Sequence, residues 1–413
     1  MGIVYWIGGA KPIAQVATVQ ITGFDSGTTY NLTVTDEAGR THVVSTVGVS
    51  NVNTTATNLN TAWNADNNPA VDRVTATVST DTITLRADNI GQPFTIASSK
   101  TSGSGTIGSV TVTTASSGPN DYGIAENWYE SAYNVPGAGD DVVIGPEAQS
   151  SILYGLNQSS VDLNSFCVKE GVGVQLGGTD GGYLKLGFAS GGKVIDFNGT
   201  GQAWVHVGAN PVSPIIRNTA QPSQGLHGLY LAGTDVANIY LYRGNVGFGV
   251  SPDDTTSECN NFYVSNLGRP ATDSHLTIGP HVQNTSGAAI TLIQKFGGSV
   301  ICHGTTGVTA VKQKSPSRDP ADGGYFEATK DCGAIATFTN DAGLADLSNT
   351  DAGTTCNVNG GVVDMTKENT TRTWTNVKLN PRVGGWAIFR RDPNVVTVTN
   401  GVESDDRVEL TAT

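Results

Sequence analysis

The chain has 413 residues, 52 of them glycine; charged residues make up 14%, and 23 Lys and Arg against 36 Asp and Glu leave a net charge of −13. Ordinary globular chains carry ~7% glycine and ~25% charged residues. A phosphate-backbone binder needs a basic face to displace counterions, and a membrane-surface binder needs a polybasic patch. Neither fits this balance, and no run reaches the ~18–20 apolar residues that span a bilayer. Neither nucleic acid nor membrane is therefore an expected partner. Low charge, β-branched residues and short runs punctuated by glycine point to an all-β protein.

Residues 1–15 form an N-terminal segment with an apolar run over 1–7 and no basic stretch before it. The run is too short for a signal peptide. Trp6 stands where a myristoylation motif wants Ser or Thr. The first residues are expected to pack as a strand or plug.

Residues 16–118 read as a small β-rich domain with one short helix. Strands are expected at 16–22, 30–34, 41–45, 73–78, 82–86, 93–96 and 109–113. A helix is expected over 54–65, where Ala56, Leu59 and Trp63 recur at helical spacing and Asn53 or Thr54 can cap it. One helix among seven strands predicts a small sheet with the helix on one face. The Ser/Gly/Pro-rich stretch 98–121 reads as loop or linker around its strand.

From 119 to 413 the pattern changes. Runs of three to six residues, such as 183–186, 193–197, 204–207, 229–231, 238–242, 261–264, 275–278, 289–293, 334–338 and 362–365, alternate with Gly, Asn and Asp. A β-sandwich or a solenoid of parallel strands would show this. Sandwich domains would restart every ~100 residues, and no restart is visible. The expected fold is a right-handed parallel β-helix, although the repeat has no single period. Solenoids need covered ends. Two segments read as caps, one over 126–144 with Trp128, Pro136 and Asp140, the other over 383–410 with Trp386.

At Asn127-Trp128 and Val135-Pro136-Gly137-Ala138-Gly139-Asp140-Asp141-Val142-Val143-Ile144 the chain resembles the opening of β-helical surface and phage proteins. Gly91-Gln92-Pro93-Phe94-Thr95 is similar to a strand of small modules in tailed-phage structural proteins. The resemblance implies a bacteriophage virion structural protein, made in the host bacterial cytoplasm, homotrimeric, and carrying a β-helical projection. It transfers no functional residue, because the matched positions are turn and strand residues. Trp6 and Ile7, together with the small β-rich domain, become the candidate anchors to the particle.

The chemistry-bearing residues form no sharp constellation. Asp180, Asp196, Asp235 and Asp273 are candidates for the paired carboxylates of a polysaccharide-cleaving β-helix, yet their spacing selects no pair. Asp140-Asp141, Asp253-Asp254 and Asp405-Asp406 read as turns; one such pair supplies too few oxygens for calcium. His206, His227, His275, His281 and His303 lack the spacing of a metal site. The five cysteines, Cys167, Cys259, Cys302, Cys332 and Cys356, are scattered and read as buried free thiols, with a cross-chain disulfide or zinc as alternatives. Lys312, Lys314, Arg390 and Arg391 are the tight basic spots, solvated or set against an acidic surface of another subunit.

The expectation is a non-enzymatic virion protein without cofactor or metal. Its first form is a head decoration or cement protein contacting the major capsid protein. The alternative is a tail spike or fibre that binds, or cleaves, host surface polysaccharide. A bacterial surface adhesin is the third form.

Overall fold

The computed structural model describes residues 2–36, 39–130, 132–178, 182–191, 193–208, 210–221, 226–251, 256–265, 274–304, 306–314, 324–329, 332–366, 371–380, 387–400 and 408–410. The chain is all-β, with a small β-rich domain and a long parallel β-solenoid.

The small domain has two antiparallel sheets. One runs Val74–Ser79, Thr82–Ala87, Val16–Gly23, with Thr106–Ile107 and Thr111–Thr114 beyond it. The other runs Thr41–Val47, Thr29–Thr35, Thr95–Thr101. The main helix spans Val52–Asn64. Its cap is Asn51, whose side chain accepts from the Thr54 amide at 2.9 Å, rather than Asn53 or Thr54. The buried face is Thr55, Ala56, Leu59 and Trp63, one stripe of an α-helix. Trp63 Nε1 donates to the Val74 carbonyl at 2.7 Å, and the Asn64 amide exchanges two hydrogen bonds with the Ala76 backbone. These bonds tie the helix end to the sheet.

Two further expectations for this domain are corrected. A second helix, Pro69–Asp72, follows an Asn68 cap with proline in its first turn; four residues are too few to show periodicity. Within the stretch read as linker around its one strand over 98–121, residues 98–101 and 106–107 are also strand. Residues 95–101 pair with Thr29–Thr35 over seven registered positions. Their Ser and Thr side chains face solvent on an edge strand, where pairing rather than hydrophobicity selects the extended backbone.

The solenoid has a 15-stranded and a 12-stranded sheet, and from Asp141–Ile144 onward the chain alternates between them. Each strand adds in parallel to the one a turn earlier. One turn takes 24 residues from Asp141 to Ser165, 23 from Asn238 to Asn261 and 18 from Thr339 to Asn357. The loops absorb these differences, which is why no period is visible in the sequence. Apolar side chains stack in register inside: Val142, Phe166 and Ile195 on one sheet, Phe248, Ile278, Cys302 and Ala328 on the other. Burying each large apolar side chain contributes about 1.5–3 kcal/mol. No turn can do this alone, since each supplies its neighbour's apolar face.

Glycine sits at the corners. Gly324 has φ +69°, and a Cβ there would meet the Gly298 carbonyl oxygen of the turn below. Interior amides close the same corner. Lys295, Gln313 and Asn340 lie in register and are buried. Gln313 Nε2 donates to the Ala342 carbonyl at 2.8 Å, and Asn340 Nδ2 to the Gly360 carbonyl at 2.9 Å. Carbonyls turned inward at the bend thereby gain donors, as buried acceptors require.

The N-terminal segment does not stand apart. Ile3–Trp6 pairs in parallel with Asp141–Ile144 and antiparallel with Trp128–Tyr129, so it is the first strand of the solenoid. The small domain is inserted between that strand and the next turns. Its neck closes at Ile13 and Ser117, which exchange hydrogen bonds of 2.7 and 3.3 Å. At the other end, Ala387–Arg391 and Val408–Leu410 continue the shorter sheet and Val396–Asn400 the longer one. The stretch read as a C-terminal cap thus supplies further turns, and Trp386 lies outside the described residues.

Candidate interaction surfaces

Of the two expected anchor residues, Trp6 is internal and Ile7 half-buried. Trp6 is fully buried, its ring edge-on to Trp128 at 4.8 Å, and its Nε1 donates to the Ser150 carbonyl at 2.7 Å. Trp128 packs against Tyr122 at 4.5 Å and donates to the Tyr122 carbonyl. Burial pushes the Tyr122 phenol well above its ordinary range. Ile7 is half-buried and donates its amide to the Asn127 carbonyl at 2.8 Å. Asp140 locks the pole: its carboxylate accepts from the Gly2 and Gly137 amides, each at 2.9 Å. Pro136 is buried beside that turn. Trp6, Trp128 and Asp140 therefore build the pole of the solenoid, and the Trp6 side chain offers no outer contact.

The exposed apolar row lies on the small domain. Strand Thr41–Val47 is hydrogen-bonded to Thr29–Thr35 and is the edge of its sheet among the described residues. Val43 and Val47 are 51% and 52% exposed, and nearby Val49 is 43% exposed. Val44 between them is buried against the helix side. Both Val43 and Val44 are apolar, so alternation did not reveal which face was outward.

Among the described residues, the candidate carboxylates form no pair of the expected kind. Asp196 is held by Arg217, with contacts of 3.0 and 3.1 Å, on the outer face of the longer sheet. Asp235 sits at a left-handed turn position, φ +63°, its amide donating to Glu258. Asp180 and Asp273 lie outside the described residues, as do Asp253, Asp254, Asp405 and Asp406. Three carboxylates not singled out from the sequence, Glu327, Asp346 and Asp364, share one column of the shorter sheet. Their alignment follows from a register that the variable turn length conceals. Asp346 accepts from the Ser348 amide, Asp364 from the Thr366 amide and hydroxyl, and Glu327 from the Tyr325 hydroxyl. Burial, with these carboxylates, pushes the Tyr325 phenol up. Each carboxylate thus has a local structural partner.

The histidines are separately engaged. His227 Nδ1 pairs with Asn245 at 2.8 Å, His275 Nδ1 with Ser299 at 2.6 Å and His303 Nδ1 with Thr329 at 2.9 Å. His206 meets the edge of Tyr183, and the His281 carbonyl accepts from Ser257. Burial pushes His206, His227 and His275 below the ordinary histidine range. Among the described residues, no group of three or more His, Cys, Asp or Glu could hold a metal ion. Lys314 lies over the Phe296 ring at 5.4 Å, with Lys312 exposed beside it; Arg391 Nη1 donates to the Val396 carbonyl.

All five cysteines are free thiols. Two are not scattered in space: Cys332 donates to Cys302 across 3.7 Å in the core. That hydrogen bond lowers the Cys302 thiol pKa and raises that of Cys332. Mild oxidation with diamide is expected to join them across a sequence separation of 30. The chain-entropy argument gives a stabilisation of about 3–4 kcal/mol. Thiol counts in denaturant would fall by two per chain and the melting temperature would rise; an unchanged count contradicts the pairing.

A cleft of about 640 Å³ opens between the small domain and the first solenoid turns. Arg40, His42 and Arg73 face Tyr154 and Gln175 across it. Asp36 holds Arg40 at 2.8 Å, and Asp66 holds His42 at 2.8 Å. The His42 hydrogen bond keeps the Asp66 carboxyl below its ordinary range. The Arg73 side chain has no hydrogen bond or ion pair among the described residues, and its Nε and Nη2 are closed off from water. The sequence places Arg73 only as the first residue of the strand expected over 73–78; the insertion of the domain beside the solenoid creates its surroundings.

No family model, curated protein or solved structure matches the chain.

Proposed function

We propose that the chain is a structural protein of a tailed-phage virion, mounted through its small domain, with the solenoid as a rigid projection. Its first form is a homotrimeric head decoration or cement protein whose neighbour is the major capsid protein. The observation that supports this is the insertion of a separate domain at one pole of the solenoid, with an exposed valine row on its free edge strand. A free edge offers backbone donors and acceptors to another chain, and apolar side chains on it add burial. The mount thereby narrows from the N-terminal segment and small domain together to Val43, Val47 and the strand that carries them.

The double substitution Val43→Lys and Val47→Lys tests this. Both side chains point to solvent, so the change is expected to leave the melting temperature within about 2 °C, as surface substitutions usually do. Binding to particles lacking the protein is expected to fall at least tenfold, about 1.4 kcal/mol. Undiminished binding by a folded variant contradicts the mount.

The second reading is a tail spike or fibre that binds host glycan. It is favoured by the outer face of the longer sheet, where Tyr242 is exposed near the Arg217–Asp196 pair. The neighbouring Tyr240 and Tyr263 stack on each other at 5.0 Å and 9°, which occupies the facing sides of their rings. That stack stabilises successive turns and leaves less aromatic face for a sugar.

A further inference from the structure

We propose that the cleft between the small domain and the first solenoid turns is an anion site. It takes a small ligand bearing a carboxylate or phosphate group, with Arg73 as the counter-charge. The inference is independent of where the protein sits on a particle.

The cleft, at about 640 Å³, lies within the usual range for small-molecule sites. Its three cationic or basic side chains differ in one respect. Arg40 is held by Asp36 and His42 by Asp66, so each already has a carboxylate. Arg73 is half-buried and has no such partner among the described residues. A guanidinium is a permanently charged, donor-only group, so burial leaves it dependent on an acceptor. It keeps its charge and needs an oxyanion or solvent. Two of its nitrogens are closed to water, which leaves Nη1 as the end an oxyanion in the cleft would meet. An end-on contact at Nη1 gives a charge-assisted hydrogen bond, stronger than a neutral one. Partial burial reduces the screening that weakens such contacts on an open surface.

The surroundings favour a ligand larger than a bare ion. Gln175 and Asn68 line the cleft together with Tyr154 and Pro69. Amides can donate to or accept from hydroxyl groups, while Tyr and Pro offer apolar surface. The cleft also runs against the field of the whole chain, whose net charge is −13. Long-range attraction therefore contributes little, and affinity must come from local contacts.

The test is titration calorimetry of the full chain at constant ionic strength, with glucuronate, inorganic phosphate and glucose as probes. At least one anion is expected to bind saturably at one site per chain, and glucose is not. Arg73→Gln is expected to weaken that binding at least tenfold, while Arg73→Lys retains part of it. Binding of glucuronate without phosphate assigns a carboxylate ligand; the reverse assigns a phosphate ester. Equal binding by Arg73→Gln means an adventitious ion only and overturns the proposal, as does failure of both anions to bind. Should Arg73→Gln fail to fold, the Arg73 Nε–H resonance of the wild-type chain is followed during the titration. A saturable shift supports the site, and an unmoved resonance overturns it.

Discussion

Replacing Trp6 by alanine is expected to destabilise the chain by about 3–5 kcal/mol, the usual cost of removing a buried aromatic side chain. Three effects act together. The indole is fully buried, it packs edge-on against Trp128, and its Nε1 satisfies the Ser150 carbonyl. Truncation leaves a cavity at the first turn and strips a donor from that carbonyl. In a stacked array the damage is local first, because each turn depends on its neighbours. Amide hydrogen exchange should therefore accelerate over 120–150 before it does so over 290–365. The alternative, in which Trp6 is a contact to the particle, predicts the opposite. Stability and exchange would stay unchanged while particle binding fell.

The second large effect is a pH dependence set by Lys295. Burial pushes its ammonium group down to about 7. The unfolded chain titrates near the ordinary lysine value, ~10.4. Between these values the unfolded chain holds a proton that the folded chain lacks, so stability rises with pH across that window. Below pH 7 both states are protonated and this contribution is flat. At neutral pH the cost is on the order of 4 kcal/mol, from about three units at 1.36 kcal/mol each. Lys295→Met keeps the length of the side chain and removes the charge. Its stability advantage over the wild type is expected to be largest at pH 6–7 and to shrink toward pH 10. Comparison by urea unfolding across this range isolates the lysine, since other titrating groups are common to both proteins. A difference that does not change with pH contradicts the account.

The fold was largely legible because strands of the solenoid are short apolar runs between turn residues. The runs at 193–197, 204–207, 275–278 and 334–338 all overlap strands that stack in parallel. The turn length was illegible, since a step of 24 residues at Asp141 shortens to 18 at Thr339. The column of Glu327, Asp346 and Asp364 was hidden with it. Pairing between distant segments was also out of reach. Ile3–Trp6 finds its parallel partner at Asp141–Ile144 and its antiparallel partner at Trp128–Tyr129. A short apolar strand at the start of a chain looks the same whether it docks outside or completes a core. Residues 98–101, which extend the strand expected at 93–96, failed for the related reason that an exposed Ser/Thr edge strand has linker composition.

The surface features were least visible. Val43 and Val44 are neighbours in sequence, and only the helix packed on one side distinguishes the exposed residue from the buried one. Cys302 and Cys332 meet because two turns of the solenoid place them together. Arg73 becomes notable only when the small domain folds back beside Leu153, Tyr154, Leu156 and Gln175. Each of these depends on tertiary placement, which local patterning does not encode.

Antibody-labelled negative-stain microscopy of purified phage particles tests the central claim most directly. The account predicts label on the particle. A head decoration protein places label over the head, with the small domain toward the shell and the solenoid outward. Label confined to the tail would favour the glycan-binding reading over the head decoration. Particles that carry no label, while the protein is present in the infected-cell lysate, would contradict the virion assignment.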